Sequence, residues 1–207
     1  MMNKILEYLN SIIPNPKCEL EYNRDYELLI ATLLSAQTTD KRVNKVTRVL
    51  FSRYPSLKEL SRASVKDIED IIRELGTYKR KSIYVHDIAK YFVDNNLDYV
   101  PNDRKLLESL PGVGRKTANV FLATIYNEPE IAVDTHVARV CKRLNIANDS
   151  DDVMAIEEEL RKKVPKEKRA RTHHQLVLFG RYYCKAMKPE CSSCKLKDMC
   201  KYYKKNK

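Results

Sequence analysis

The sequence predicts an all-α protein. Apolar residues recur at helical spacing along most of the chain, alternating strand patterns are almost absent, and only four glycines and eight prolines interrupt the 207 residues. This pattern fits about ten helices joined by short connections. Met1 to Ile13 places Ile5, Leu6, Leu9, Ile12 and Ile13 along one side of a helix. Its few charges are not segregated from the apolar residues as in a signal peptide, so it reads as a packed helix. Leu28 to Leu34 is apolar nearly all round, as in a helix buried on every side. Val65, Ile68, Ile71, Ile72 and Leu75 form one stripe, opened by a Ser64/Asp67 capping pattern and closed by Gly76. Ala118, Phe121, Leu122 and Ile125 form a second stripe, and Val153, Ile156, Leu160 and Val164 a third.

No apolar run approaches the ~20 residues of a membrane helix. The expected location is the cytoplasm, with no membrane partner. In that reducing compartment six cysteines are better read as metal ligands than as disulfides. The formal net charge is +11, and it is clustered. Lys79 to Lys81 are three cations in a row, Arg161 to Arg171 hold seven basic residues and one acidic, and Lys195 to Lys207 hold six and one. A polyanion is the partner such an excess favours, although any single stretch can also be an ordinary solvated face.

Two of the four glycines lie in Leu110-Pro111-Gly112-Val113-Gly114, between one apolar helix and another that starts near Arg115. Gly112 and Gly114 can both take positive φ and admit a second backbone. A helix opening straight after them points free N–H groups outward, ready for a phosphate. A tight turn between packed helices is the competing reading. Lys116 falls in the first turn of that helix, where the dipole disfavours its charge. A solvated lysine, a phosphate ligand and an amine nucleophile all remain open on this placement alone. Fifteen residues on, the apolar Ile131-Ala132-Val133 leads to Asp134 at a helix start. There a carboxylate can cap the helix, act in chemistry, or do both.

Cys184, Cys191, Cys194 and Cys200 give the spacing C-x6-C-x2-C-x5-C, four thiolates within 17 residues. Structural zinc sites more often use two close pairs, and here only Cys191/Cys194 is one. The spacing therefore favours a [4Fe-4S] cluster over zinc. Cys141 falls on an apolar stripe and reads as core. His173 and His174 read as packing residues, since no cysteine lacks a fellow ligand.

Together these motifs resemble the endonuclease III family of helix–hairpin–helix DNA glycosylases. The likeness runs through Leu34-Ser35-Ala36-Gln37-Thr38-Thr39-Asp40, LPGVGRKTA at 110–118, Val133-Asp134-Thr135-His136, His173-His174 and the cysteine tetrad. It implies two domains facing each other across a DNA-binding cleft. One is a six-helix barrel over 18–128, with the helix–hairpin–helix at about 104–126. The other joins 1–17 to 129–207 and holds the cluster loop at 184–200. The implied activity is removal of oxidised pyrimidines such as thymine glycol from double-stranded DNA, followed by cleavage at the abasic site, by a monomer. The resemblance makes Lys116 the nucleophile, Asp134 the essential carboxylate and the four cysteines the cluster ligands. It also makes Gln37, Thr77, Gly112, Gly114, Arg115 and Lys188 DNA-contacting residues.

The chemistry asks for these residue types. A flipped nucleotide attacked at C1′ by an amine leaves an iminium that permits β-elimination, whereas a water nucleophile stops at base removal. Attack needs the neutral amine, of which a free lysine offers only about 0.04% at pH 7. Partial burial and the helix N-terminus are expected to favour that form. In the cluster loop Met187 and Glu190 replace positions often basic in relatives. At the turn Leu75-Gly76-Thr77-Tyr78, Thr77 stands where relatives often carry a larger apolar wedge. Either Gln37 fills most of the vacated stack while Tyr78 packs in the core, or Tyr78 turns in to stack on exposed bases.

Overall fold

The computed structural model describes residues 1–206, and helices account for all of its regular structure. In order they are α1 (Met2–Ile12), α2 (Asp25–Leu34), α3 (Asp40–Arg53), α4 (Leu57–Arg62), α5 (Val65–Ile71) and α6 (Tyr78–Asp94). Then come α7 (Arg104–Ser109), α8 (Arg115–Ile125), α9 (Thr135–Arg143), α10 (Val153–Lys163), α11 (Arg169–Tyr182) and α12 (Lys201–Lys205). Short 3-10 turns occupy Lys166–Lys168 and Lys197–Met199. No described helix is long and apolar enough to cross a membrane. The chain divides into two compact units, Cys18–Tyr126 and Met1–Lys17 with 127–207, each with its own apolar core.

In the unit of residues 18–126, α2 is the hub. Every side chain from Tyr26 to Leu34 is buried, the all-round burial its composition predicts. It packs on α8, α3 and α6, while α4 and α5 lie against α6. Short polar residues start most of these helices. Thr39, Ser56 and Ser64 each accept a hydrogen bond from the N–H three residues on, and Asp103 accepts from Lys105 and Leu106. The 65–75 stripe departs from expectation. Regular helix ends at Ile71, so Ile72 and Leu75 reach the core from a following turn and Gly76 does not cap α5.

In the other unit, α1 buries Ile5, Leu6 and Leu9, with Ile13 just beyond its end, and packs on α11. The stripe on α10 is shorter than predicted. Ile156, Leu160 and Val164 are buried, but Val153 is exposed because it opens the helix, capped by Asp152 outside the core. Cys141 is core as expected, and burial pushes its thiol up to about 12. α9 and α11 meet at Gly180, where an added Cβ would lie 2.9 Å from the His136 Cβ and 3.1 Å from the His136 carbonyl oxygen. Backbone cannot yield as a flexible side chain can. Gly180→Ala is therefore expected to destabilise the protein by about 1–3 kcal/mol, read as a lowered unfolding midpoint.

Candidate active site

The turn Leu110–Gly114 joins α7 to α8 and is anchored by two buried side chains, Leu110 and Val113. Gly112 has φ +76°, and a Cβ there would stand 2.3 Å from the Tyr84 ring. Both facts demand glycine. Gly114 differs from expectation: its φ is −96° with ψ 178°, extended backbone open to any residue, and nothing lies within 4 Å of an added Cβ. Its contribution is to be the N-cap of α8 without a side chain, leaving space before the first-turn N–H groups. Arg115 and Lys116 are the first two residues of that helix, and both are exposed. The partial burial expected of Lys116 is not found.

A second open edge lies in the same unit. Gln37 and Thr77 are exposed non-glycine residues in the left-handed region, with φ 59° and 56°. A Cβ on Gly76 would be 4.0 Å from the Gln37 carbonyl oxygen, so the two turns adjoin. Thr77 is the N-cap of α6 but offers its helix no side-chain bond, since its hydroxyl donates to the Gly76 carbonyl at 2.7 Å. Tyr78 is half-buried and packs against the core.

In the other unit, Asp134 ends the buried segment Ile131-Ala132-Val133 and is the N-cap of α9. Its carboxylate accepts from the Val137 N–H at 2.8 Å. His173 is buried, its ring nitrogen 3.0 Å from the Ala132 carbonyl oxygen, so this histidine supports the segment leading to Asp134. Burial, and then its neighbour His173, push His174 down to about 3, which keeps that ring neutral.

Cys184, Cys191, Cys194 and Cys200 line one pocket with Tyr8, Phe179 and other side chains. Burial and the charges of Cys184 and Cys200 raise the thiols of both Cys191 and Cys194, as grouped thiolates should. Among the described residues no three His, Cys, Asp or Glu side chains stand close enough to hold a single metal ion. The tetrad is gathered round one space. Lys188 is exposed in left-handed backbone (φ 49°), and Met187 is 83% exposed. Glu190 forms an ion pair with Lys185 at 3.0 Å within the same loop.

Residues 30–166 match the profile of the HhH-GPD superfamily of base excision DNA repair proteins. The chain belongs to this superfamily. Within it the chain is 43% identical over 202 residues to endonuclease III of Escherichia coli K12, covering 98% of this chain and 95% of the relative. It is 41% identical over 196 residues to endonuclease III of Bacillus subtilis, covering 95% and 90%. A solved structure of a trapped endonuclease III–DNA covalent intermediate superposes with a TM-score of 0.92 at 42% identity, over all of this chain and 98% of the other. The chain is therefore an enzyme of the DNA glycosylase and abasic-site lyase class.

For an endonuclease III relative the basic stretches are less available than their composition suggests. Lys81 is buried. Arg161 pairs with Glu130 and Glu157, Lys162 and Lys163 pair with Glu158 and Glu159, and Arg171 donates to Asn10 and Pro14. Most of the 161–171 stretch thus serves internal structure. Sequence reasoning also missed Arg139 and Arg143, one helical turn apart on α9. Arg139 donates to the carbonyls of Gly180 and Cys184. Arg143 is buried, donates to the carbonyls of Lys185 (2.7 Å) and Ala186 (3.1 Å), lies 3.4 Å from the Cys184 Sγ, and stacks 3.8 Å over the Tyr202 ring. Their only signal was arginine at i and i+4 on the helix that follows Asp134. Arg143→Met should cost about 2–4 kcal/mol, because several partly buried carbonyls lose a charged donor together. Hydrogen exchange should quicken over 184–187 while the core of residues 18–126 keeps its protection.

Proposed function

We propose that this enzyme excises oxidised pyrimidines such as thymine glycol from duplex DNA and nicks the resulting abasic site, with Lys116 as nucleophile and Asp134 as its carboxylate partner. One observation carries the reading: an exposed lysine occupies the first turn of α8, directly behind an N-cap without a side chain. Helix starts disfavour cations, so a lysine there calls for a use.

The Lys116 amine attacks C1′ of the flipped nucleotide, the glycosidic bond breaks, and the base leaves with its electron pair and takes up a proton. Nitrogen loses a proton, the C1′–O4′ ring bond opens with O4′ taking up a proton, and the resulting iminium is the electron sink for loss of a C2′ proton and β-elimination of the 3′ phosphate; water then hydrolyses the imine and releases the enzyme. Asp134 stabilises positive charge developing on the sugar and moves protons. Its bond from the Val137 N–H holds the carboxylate in one orientation. Gly112, Gly114 and Arg115 hold backbone phosphates at the α8 start, Lys188 adds a phosphate contact, and Gln37 and Thr77 meet the base stack that the flipped nucleotide has left. The trapped DNA complex of a 42% identical relative supports a covalent course. The enzyme acts as a monomer at the nucleoid.

The four cysteines fit a [4Fe-4S] cluster: four thiols share one pocket, in a spacing with only one close pair. When bound, the cluster ties the cysteine loop together and thereby sets Lys188.

Borohydride should trap a covalent complex between the enzyme and a thymine glycol duplex, and Lys116→Gln should abolish trapping while retaining most DNA affinity. Trapping undiminished in that variant would refute the assignment. Asp134→Asn keeps a good capping side chain, so stability should change by only a few tenths of a kcal/mol, while turnover collapses. Anaerobically purified protein should contain about four irons per chain and be yellow-brown. Active protein holding stoichiometric zinc and no iron would rule the cluster out. Cys194→Ala should be unstable or insoluble.

A further inference from the structure

α2 ends at Leu34 inside the core, and its last carbonyls can be accounted for one by one. Ser35 N–H donates to the Ala31 and Thr32 carbonyls, and Ala36 N–H to that of Leu33. The carbonyls of Leu34 and Ala36 accept instead from the ammonium of Lys81, at 2.9 and 2.7 Å. Lys81 is 4% exposed, although it comes from a run of three cations at a helix start. Burial lowers its pKa from the usual lysine value, a sign that the site was not built for cheap solvation. The two bonds it makes bracket Ser35 and Ala36, the two residues before Gln37, and Thr38 N–H closes the other side by donating to the Ser35 carbonyl at 3.2 Å. Gln37 is thereby held in left-handed backbone, a conformation a glutamine does not keep without support. The amides of Arg80 and Lys81 both donate to the Thr77 carbonyl, at 3.1 Å, so the helix that carries Lys81 begins at the adjoining turn.

We propose that Lys81 is a positioning residue for base flipping: its buried ammonium holds the Gln37 turn, and with it the Thr77 turn, in the form that enters the vacated base stack. The proposal rests on the reading of Gln37 as the filling residue. A lysine is suited to the task because one ammonium can donate to two carbonyls that diverge from a helix end. A neutral side chain of equal length would leave both without a donor. The nucleophile is untouched by this role, so loss of Lys81 should harm only substrates in which a stack must be opened and filled.

The test compares wild type, Lys81→Met, Gln37→Ala and the double variant. Borohydride trapping is followed in single turnover on one abasic site, placed in a duplex or in a single strand, and 2-aminopurine opposite the site reports unstacking. Lys81→Met should slow duplex trapping about tenfold or more and weaken the 2-aminopurine signal, with single-strand trapping within about twofold of wild type. The double variant should be no slower than the slower single one, because both act through one turn. Lys81→Arg, which keeps the donors, should recover much of the loss, and carries the same comparison if Lys81→Met is insoluble. A folded Lys81→Met that traps duplex at the wild-type rate overturns the proposal, as do equal losses on duplex and single strand. A silent Gln37→Ala would instead remove the reading of Gln37 beneath it.

Discussion

A helix enclosed by protein on every side must satisfy its last carbonyls without water, since an unpaired buried acceptor costs about as much as the hydrogen bond it lacks. α2 faces that requirement, being buried from Tyr26 to Leu34. The solution brings a cation into the core of residues 18–126, and the position of that cation fixes much else. Thr77, Lys81 and Tyr84 recur at i, i+4 and i+7, one face of α6. Thr77 starts the helix, Lys81 closes α2, and the Tyr84 ring lies where a Cβ on Gly112 would be. One helical face therefore supports both the Gln37 turn and the glycine hairpin, two features 75 residues apart in sequence.

Helix starts differ in their capping. Ser, Thr or Asp closes the first turn of α3, α4, α5, α7 and α10, whereas α1, α11 and α12 have no side-chain cap. α6 and α8 open without a side-chain cap, behind Thr77 and Gly114. N–H groups that no side chain claims can be offered to an anion, and the helix dipole favours one there. The cost of an unfilled cap is roughly 1 kcal/mol each, which two helices in a unit of this size can bear. α9 takes a third course. Asp134 caps it and still presents a carboxylate, because a cap uses one oxygen and leaves the other.

The sequence announced what depends on local pattern. The all-round apolar run of α2, the Ser64 and Asp134 caps, the core placement of Cys141 and the all-helical class follow from spacing and residue type alone. What it concealed depends on tertiary partners. Lys81 looked like surface charge because nothing local says that two carbonyls await it. Arg139 and Arg143 looked like the polar side of a helix because their acceptors lie some forty residues on. Gly114 looked like Gly112, yet only Gly112 meets a ring and takes positive φ. Val153 continued a stripe on paper, but an N-cap in solvent put the first turn outside the core.

The same distinction governs the C-terminal segment. From residue 184 to 206 only Leu196 and Cys200 are buried, too little apolar surface to offset the entropy of ordering so long a stretch. Its fixed points are polar and few. Arg143 grips the backbone of 184–186 and stacks on Tyr202, while the four thiols turn towards one pocket. A single arginine can set where the loop begins, but it cannot hold Cys191, Cys194 and Cys200, whose grouped charges repel one another as thiolates. A cationic centre among them, as the proposed cluster supplies, would turn that repulsion into cohesion. On that proposal, order in this segment comes from coordination, whereas in the unit of residues 18–126 it comes from burial. Lys188, strained at φ 49°, would depend on the first kind of order, and Gln37, strained at φ 59°, on the second.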